Sequence, residues 1–256
     1  MKKKLILKIG SSTLTAGTDR ISYAKIEDLA RQIVALKESY QIVLVSSGAI
    51  ATARQFVDLE KEGLPVDYKQ ALAAIGQPKL MSIYDEVFRS FGLNVAQCLL
   101  VYRDFQNENA RENVKNTIDT LLGMGYTPII NENDTVSADE IIFGDNDKLS
   151  AIVAAITKAD LLVLASDING LYDKNPNLHK DAQLIERVEE LEDISNFIEE
   201  IPSELGTGGM TTKIEAAKIC RKYGVEMWIL NGSINGFLQN AIETKSGFTA
   251  FPNTRD

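Results

Sequence analysis

KLILKIGSS, residues 4–12, is a near-continuous apolar run that carries a lysine, Lys8, close to its end and then breaks at Gly10-Ser11-Ser12. A run of this length before a glycine turn is strand-sized. Because it is apolar at nearly every position rather than at alternate ones, it is covered on both faces, as strands of a parallel sheet are. Residues 41–46, 94–101, 126–131, 161–166 and 225–230 repeat the pattern, most of them rich in Leu, Ile and Val. Between these runs lie helical stretches at 23–40, 49–57, 68–91, 109–124, 147–158, 211–223 and 235–244. In the first of them Ile26, Leu29, Ile33 and Leu36 recur at three- and four-residue intervals, which gives one buried stripe. Strands alternating with helices predict an α/β fold with a mainly parallel central sheet. Residues 135–143 are too short and too β-rich for a crossover helix and read as a hairpin or flap beside the site.

The chain has 256 residues, 45% hydrophobic and 25% charged, the balance of a soluble globular protein. At this length about 70 to 75% of the unfolded surface can be buried, so no disulfide or metal staple is needed. No repeat, Pro/Gly/Ser linker or low-complexity tract marks a boundary, and one domain over 1–256 is expected. A net charge of −9 and a pI of 4.8 argue against nucleic-acid binding, which calls for a basic patch. Cys98 and Cys220 sit in apolar surroundings at no metal or redox spacing and read as buried free thiols. The N-terminal MKKKLIL is too short, and too soon interrupted by Lys8, to be a signal peptide. No segment approaches the roughly 18 apolar residues of a membrane span, so a cytoplasmic protein is expected.

The one histidine, His179, lies in the polar stretch NPNLHKDAQ and reads as a loop residue. Zinc–histidine sites, Ser-His-Asp triads and Cys-His pairs all need a positioned imidazole, so these chemistries are set aside. Lysine, aspartate, asparagine, serine and glycine remain, and they gather after the predicted strands, where open α/β sheets bind ligands. Five clusters fall there: residues 8–12, 46–49, 131–134, 144–147 and 206–213. The last, GTGGMTTK, reads as a glycine turn before a helix, a form that lets backbone N–H groups and the helix dipole meet a phosphate. It is neither a P-loop nor a G-x-G-x-x-G fingerprint, and a flexible loop with a helix cap is the plainer alternative. Lys8 at a buried strand end needs an anionic partner unless it snorkels to solvent. From the residues alone, Asp134 is a turn residue that bonds its own backbone.

At these same residues the chain resembles the amino acid kinase family, and in particular its members that phosphorylate glutamate. The resemblance runs through KIGSSTLT (8–15), VSSGAIA (45–51), AAIGQPKLM (73–81) and PIINENDTV (128–136). It continues through FGDNDKLSA (143–151), SDINGLYDKNP (166–176) and GTGGMTTKIEAA (206–217). What it implies is a three-layer αβα sandwich with the amino acid over the N-terminal half and the nucleotide over the C-terminal half. The implied reaction is Mg²⁺-dependent transfer of the γ-phosphoryl group of ATP to glutamate, the opening step of proline biosynthesis. It implies that Lys8 and Lys213 contact the transferred group, with Asp147 orienting them. Ser47, Asp134 and Asn146 match positions that hold glutamate. Lys8, Gly10, Ser166, Asp167, Gly206, Thr207, Gly208, Gly209, Met210, Thr211 and Thr212 match nucleotide-binding positions. Ser46 and Thr211 are small hydroxyl swaps against other members.

Many members carry an additional C-terminal PUA domain, and the expectation for this chain is a kinase domain without one. A homo-oligomer and feedback inhibition by proline are further implications that this departure leaves open. The rival readings are another kinase of the same fold, acting on N-acetylglutamate, aspartate, carbamate or a nucleoside monophosphate, and a nucleotide-binding regulatory protein without catalysis. A nicotinamide-dependent dehydrogenase lacks the G-x-G-x-x-G it would need after the first strand.

Overall fold

The structure is a computed structural model that describes residues 2–57, 63–137, 146–176, 178–191 and 207–253. The opening apolar run forms β1 (Lys3–Ile9), and its next parallel neighbours are β2 (Tyr40–Ser46) on one edge and β5 (Leu161–Ser166) on the other. Beyond β2 lie β4 (Tyr126–Glu132) and then β3 (Asn94–Leu100), and beyond β5 lies β8 (Glu226–Asn231). All of these pair in parallel, and the far edge is closed by β9 (Thr249–Phe251), antiparallel to β8. Two short strands, β6 (Leu171–Tyr172) and β7 (Leu184–Ile185), make a separate antiparallel pair.

Alternate residues of β1 feed two cores, as the period-2 geometry of a strand requires. Leu5, Leu7 and Ile9 join α2 (Tyr23–Leu36), α4 (Val66–Ser90) and α8 (Phe237–Thr244) on one face. On the other, Ile6 joins α5 (Glu108–Gly123), α6 (Asp147–Ile156) and α7 (Thr207–Tyr223). The outcome is the expected α/β fold, a mainly parallel sheet between two helical layers. Among the described residues no helix is long and apolar enough to cross a membrane.

All six predicted strands form, within a residue or two of their expected limits. β3 differs in character: it is the sheet edge and is half-exposed rather than covered on both faces, in keeping with its polar NVAQCLL sequence. Two helices stop early, α2 at Leu36 and α3 (Ala49–Ala53) at Ala53. A five-residue helix α1 (Ser11–Thr15) follows β1 where only a turn was expected. The flap expected at 135–143 lies outside the described residues from 138 onward.

α4 breaks a local rule that proves informative. Gly76 and Pro78 lie inside it, and relative to alanine they disfavour a helix interior by about 1 and about 3 kcal/mol. Tertiary contact explains the glycine: a Cβ at position 76 would stand 1.8 Å from the carbonyl oxygen of Ala49. The backbone of α3 therefore rests directly on α4, which holds the Ser46-Ser47-Gly48 corner at the end of β2. Gly48 turns that corner at φ 108°, a conformation that only glycine adopts readily.

Candidate active site

The C-terminal ends of the strands converge on one carboxylate. Asp147, fully buried at the start of α6, receives the Lys8 ammonium on Oδ1 at 2.8 Å and the Lys213 ammonium on Oδ2 at 3.0 Å. Thr212 Oγ1 donates to the same Oδ2 at 3.3 Å, and Lys213 Nζ also donates to the Gly209 carbonyl at 3.1 Å. Both lysines are themselves buried, so two cations share one anion away from water. Buried ammonium heads need anionic company, which among the described residues Asp147 supplies to both. Glycines neighbour both ammonium heads, at distances a Cβ would meet as ordinary contact. A Cβ at Gly10 would lie 3.8 Å from Lys8 Nζ, and one at Gly209 3.8 Å from Lys213 Nζ.

Across β2 and β4 lies a chain of neutral polar groups. Asn146, just before α6, donates from Nδ2 to Ser47 Oγ at 3.0 Å and to Asn131 Oδ1 at 2.8 Å. Asn131 donates in turn to Gln77 Oε1 on α4 at 3.0 Å. Beyond the end of β4, Asp134 is only 6% exposed, and its Oδ1 has no partner among the described residues. Burial, and then the charge of Glu132, push its carboxyl up to about 7. This is not the self-satisfied turn residue that the local sequence suggests, and a cation beside such a carboxyl would favour its charged form.

The sequence profile of the amino acid kinase family matches residues 3–231. The chain belongs to the amino acid kinase family. A glutamate 5-kinase of Thermoanaerobacter sp. (strain X514) is 44% identical over 252 residues, which cover 97% of this chain and 68% of that relative. A glutamate 5-kinase of Clostridium tetani is 44% identical over 251 residues, covering 97% of this chain and 94% of the relative. The crystal structure of UMP kinase from Ureaplasma parvum superposes with a TM-score of 0.68 at 16% identity, covering 98% of this chain and 99% of that one, and shows a shared fold.

Within this amino acid kinase, three residues far apart in the sequence, Lys8, Asp147 and Lys213, meet as expected. Ser47 and Asn146 are hydrogen-bonded to one another. Ser166 ends β5, the strand beside β1, and Asp167 follows it; the Ser166 hydroxyl donates to Asp167 Oδ1 at 3.1 Å. The Ser166 carbonyl accepts from Gly232 N–H at 2.8 Å, which ties the ends of β5 and β8 together.

The glycine turn needs correction. Thr207, Gly208, Gly209 and Met210 form the first turn of α7 rather than a loop ahead of it, while Gly206 lies outside the described residues. Lys213 is thereby one helical turn beyond Gly209, which explains its bond to that carbonyl. His179 is exposed in its loop. Cys220 is buried as expected, whereas Cys98, on the edge strand, is half-buried. Gln77 was not singled out in the sequence; its signals are its place in the AAIGQPKLM stretch and a polar residue set between glycine and proline inside a helix.

Proposed function

We propose that this protein transfers the γ-phosphoryl group of ATP to the side-chain carboxylate of L-glutamate, forming L-glutamyl 5-phosphate for proline biosynthesis. The observation that carries the reading is the pair of buried ammonium groups sharing Asp147, with a buried carboxylate, Asp134, awaiting a cation on the neighbouring side. The 44% identity to glutamate 5-kinases over nearly the whole chain supports the same acceptor.

The chemistry suits these residues. A glutamate carboxylate, with a solution pKa of about 4.3, is already ionised at neutral pH and attacks phosphorus without a general base. The obstacle is the approach of one anion to another. Catalysis then consists of positioning and of cationic stabilisation of the oxygens in flight. Lys8 and Lys213 flank the transferred group, and Asp147 holds their heads in place. The N–H groups in the first turn of α7, with Ser166, Asp167 and Gly10, receive the nucleotide. Asp134 takes the α-ammonium, while Ser47 and Asn146 bind the carboxylates.

Among the described residues no group of three or more His, Cys, Asp or Glu is placed to hold a metal ion. The Mg²⁺ of this reading would accompany ATP and supply charge neutralisation during transfer. In this reading the chain is one kinase domain working in the cytoplasm, with the amino acid on the β2 and β4 side of β1 and the nucleotide on the β5 and β8 side. A homo-oligomer and feedback inhibition by proline are extensions of it.

ATP turnover dependent on glutamate, with the acyl phosphate trapped as a hydroxamate, tests the reading. Lys8→Ala or Lys213→Ala should lower kcat by about 10² to 10³. Near-parental turnover in either variant, or no hydroxamate from the parent enzyme, would overturn it.

A further inference from the structure

We propose that Gln77 is a positioning residue: its side-chain oxygen fixes the amide orientation of Asn131 and, through it, that of Asn146 on the acceptor side. This rests on the reading that Ser47 and Asn146 bind the amino acid. The argument starts from a donor that has no alternative. The backbone N–H of Glu132 can only donate, and it bonds Asn131 Oδ1 at 2.9 Å. The oxygen of Asn131 therefore faces Glu132, where it also accepts from Asn146 Nδ2 at 2.8 Å. Its nitrogen faces α4, and Gln77 Oε1 accepts there at 3.0 Å. Asn146 turns its nitrogen toward both Asn131 and Ser47, so its oxygen points away from the pair.

All four side chains are buried, so an unmatched donor has no water to fall back on. Rotating the Asn131 amide would set its nitrogen against two donors, the Glu132 N–H and Asn146 Nδ2. With the Gln77 oxygen in place, the observed orientation satisfies every bond in this chain of contacts. Without it, an Asn131 N–H is stranded, and both amides lose their reason to hold one pose. The helix that carries Gln77 tolerates Gly76 and Pro78 on either side of it, and Gly76 lets α4 press against the corner that bears Ser47. The residues least suited to a helix interior thus flank the one that reaches the acceptor network.

Gln77→Met removes the acceptor at nearly constant size. It should raise KM for glutamate about tenfold, while KM for ATP stays within about twofold. In an Asn131→Ala background the same substitution should add nothing, because the group it acts through is gone. Gln77→Glu, which keeps an oxygen at the same reach, should restore most of the glutamate affinity. An equal rise in both KM values, additivity with Asn131→Ala, or a Gln77→Glu as impaired as Gln77→Met would overturn the assignment. The glutamate-dependent activity of the parent enzyme, measured alongside, separates this result from failure of the acceptor reading itself.

Discussion

Substituting Asp134 by asparagine should strengthen the empty protein and cripple its use of glutamate, two effects with a common origin. The carboxyl is 6% exposed, and burial, then Glu132, move it from the ordinary 3.8 to about 7. Between those two values the native chain keeps a proton that the unfolded chain has released. The stability this group contributes is therefore complete below 3.8, declines as pH rises, and is gone above about 7. At about 1.4 kcal/mol for each tenfold change in proton affinity, the interval is worth about 4 kcal/mol. An asparagine cannot ionise and escapes that loss. The ligand-free variant should accordingly melt about 8 to 16 °C above the parent at about pH 8, and the gap should close toward about pH 4.

Turnover should move the other way. Loss of a buried partner for the substrate ammonium costs about 2 to 5 kcal/mol, so KM for glutamate should rise at least about thirtyfold. In the parent enzyme that KM should fall as pH increases through about 7, and the variant should lose the dependence. Thermal melts at the two pH values and glutamate titrations across the range provide the test. A variant less stable than the parent at the higher pH, or offset by the same amount at both, would refute the reasoning.

Asp147→Asn removes the carboxylate that two buried ammonium groups share and should destabilise the ligand-free protein by about 3 to 5 kcal/mol. Saturating ATP should recover part of that loss, and a deficit in the melting curves untouched by ATP would contradict the shared-anion picture. Gly76→Ala would improve helix propensity yet drive a methyl group into the Ala49 carbonyl, so urea denaturation should show a loss of about 3 kcal/mol or more; a neutral result would mean that α3 yields easily. N-acetylglutamate, which has no ammonium to offer Asp134, should be used at least about a hundredfold less efficiently than glutamate by kcat/KM, and similar values for the two would remove Asp134 from acceptor recognition.

How much of this was legible beforehand depended on whether a signal was local. The strands announced themselves because a doubly covered strand must be apolar at every position, and residues 4–9 or 161–166 have no other plausible state. β9, β6 and β7 escaped because three or two residues carry no periodicity, and what defines them is pairing with partners distant in sequence, such as Ile229↔Thr249 and Leu171↔Ile185. The extra turn of α7 was hidden by Gly208 and Gly209, whose composition says loop although they are helical in the fold. A charge on Lys8 at the end of an apolar strand demanded an anion; no spacing rule could name Asp147, 139 positions away, and it was the family resemblance that pointed to it. Gln77 was the least legible, since its meaning lies in a bond to Asn131 that no spacing rule anticipates.

The placement of Lys8 on β1 has a mechanical consequence. Its residue pairs with Val45 on one side and Leu164 on the other, so the strand is bonded along both margins. Sliding it would rupture two ladders at once. The ammonium of Lys8 is therefore carried on the stator of the machine. Any closing stroke that brings the reactants together must be made by the helices and connections at the flanks, moving against a datum in the middle of the sheet.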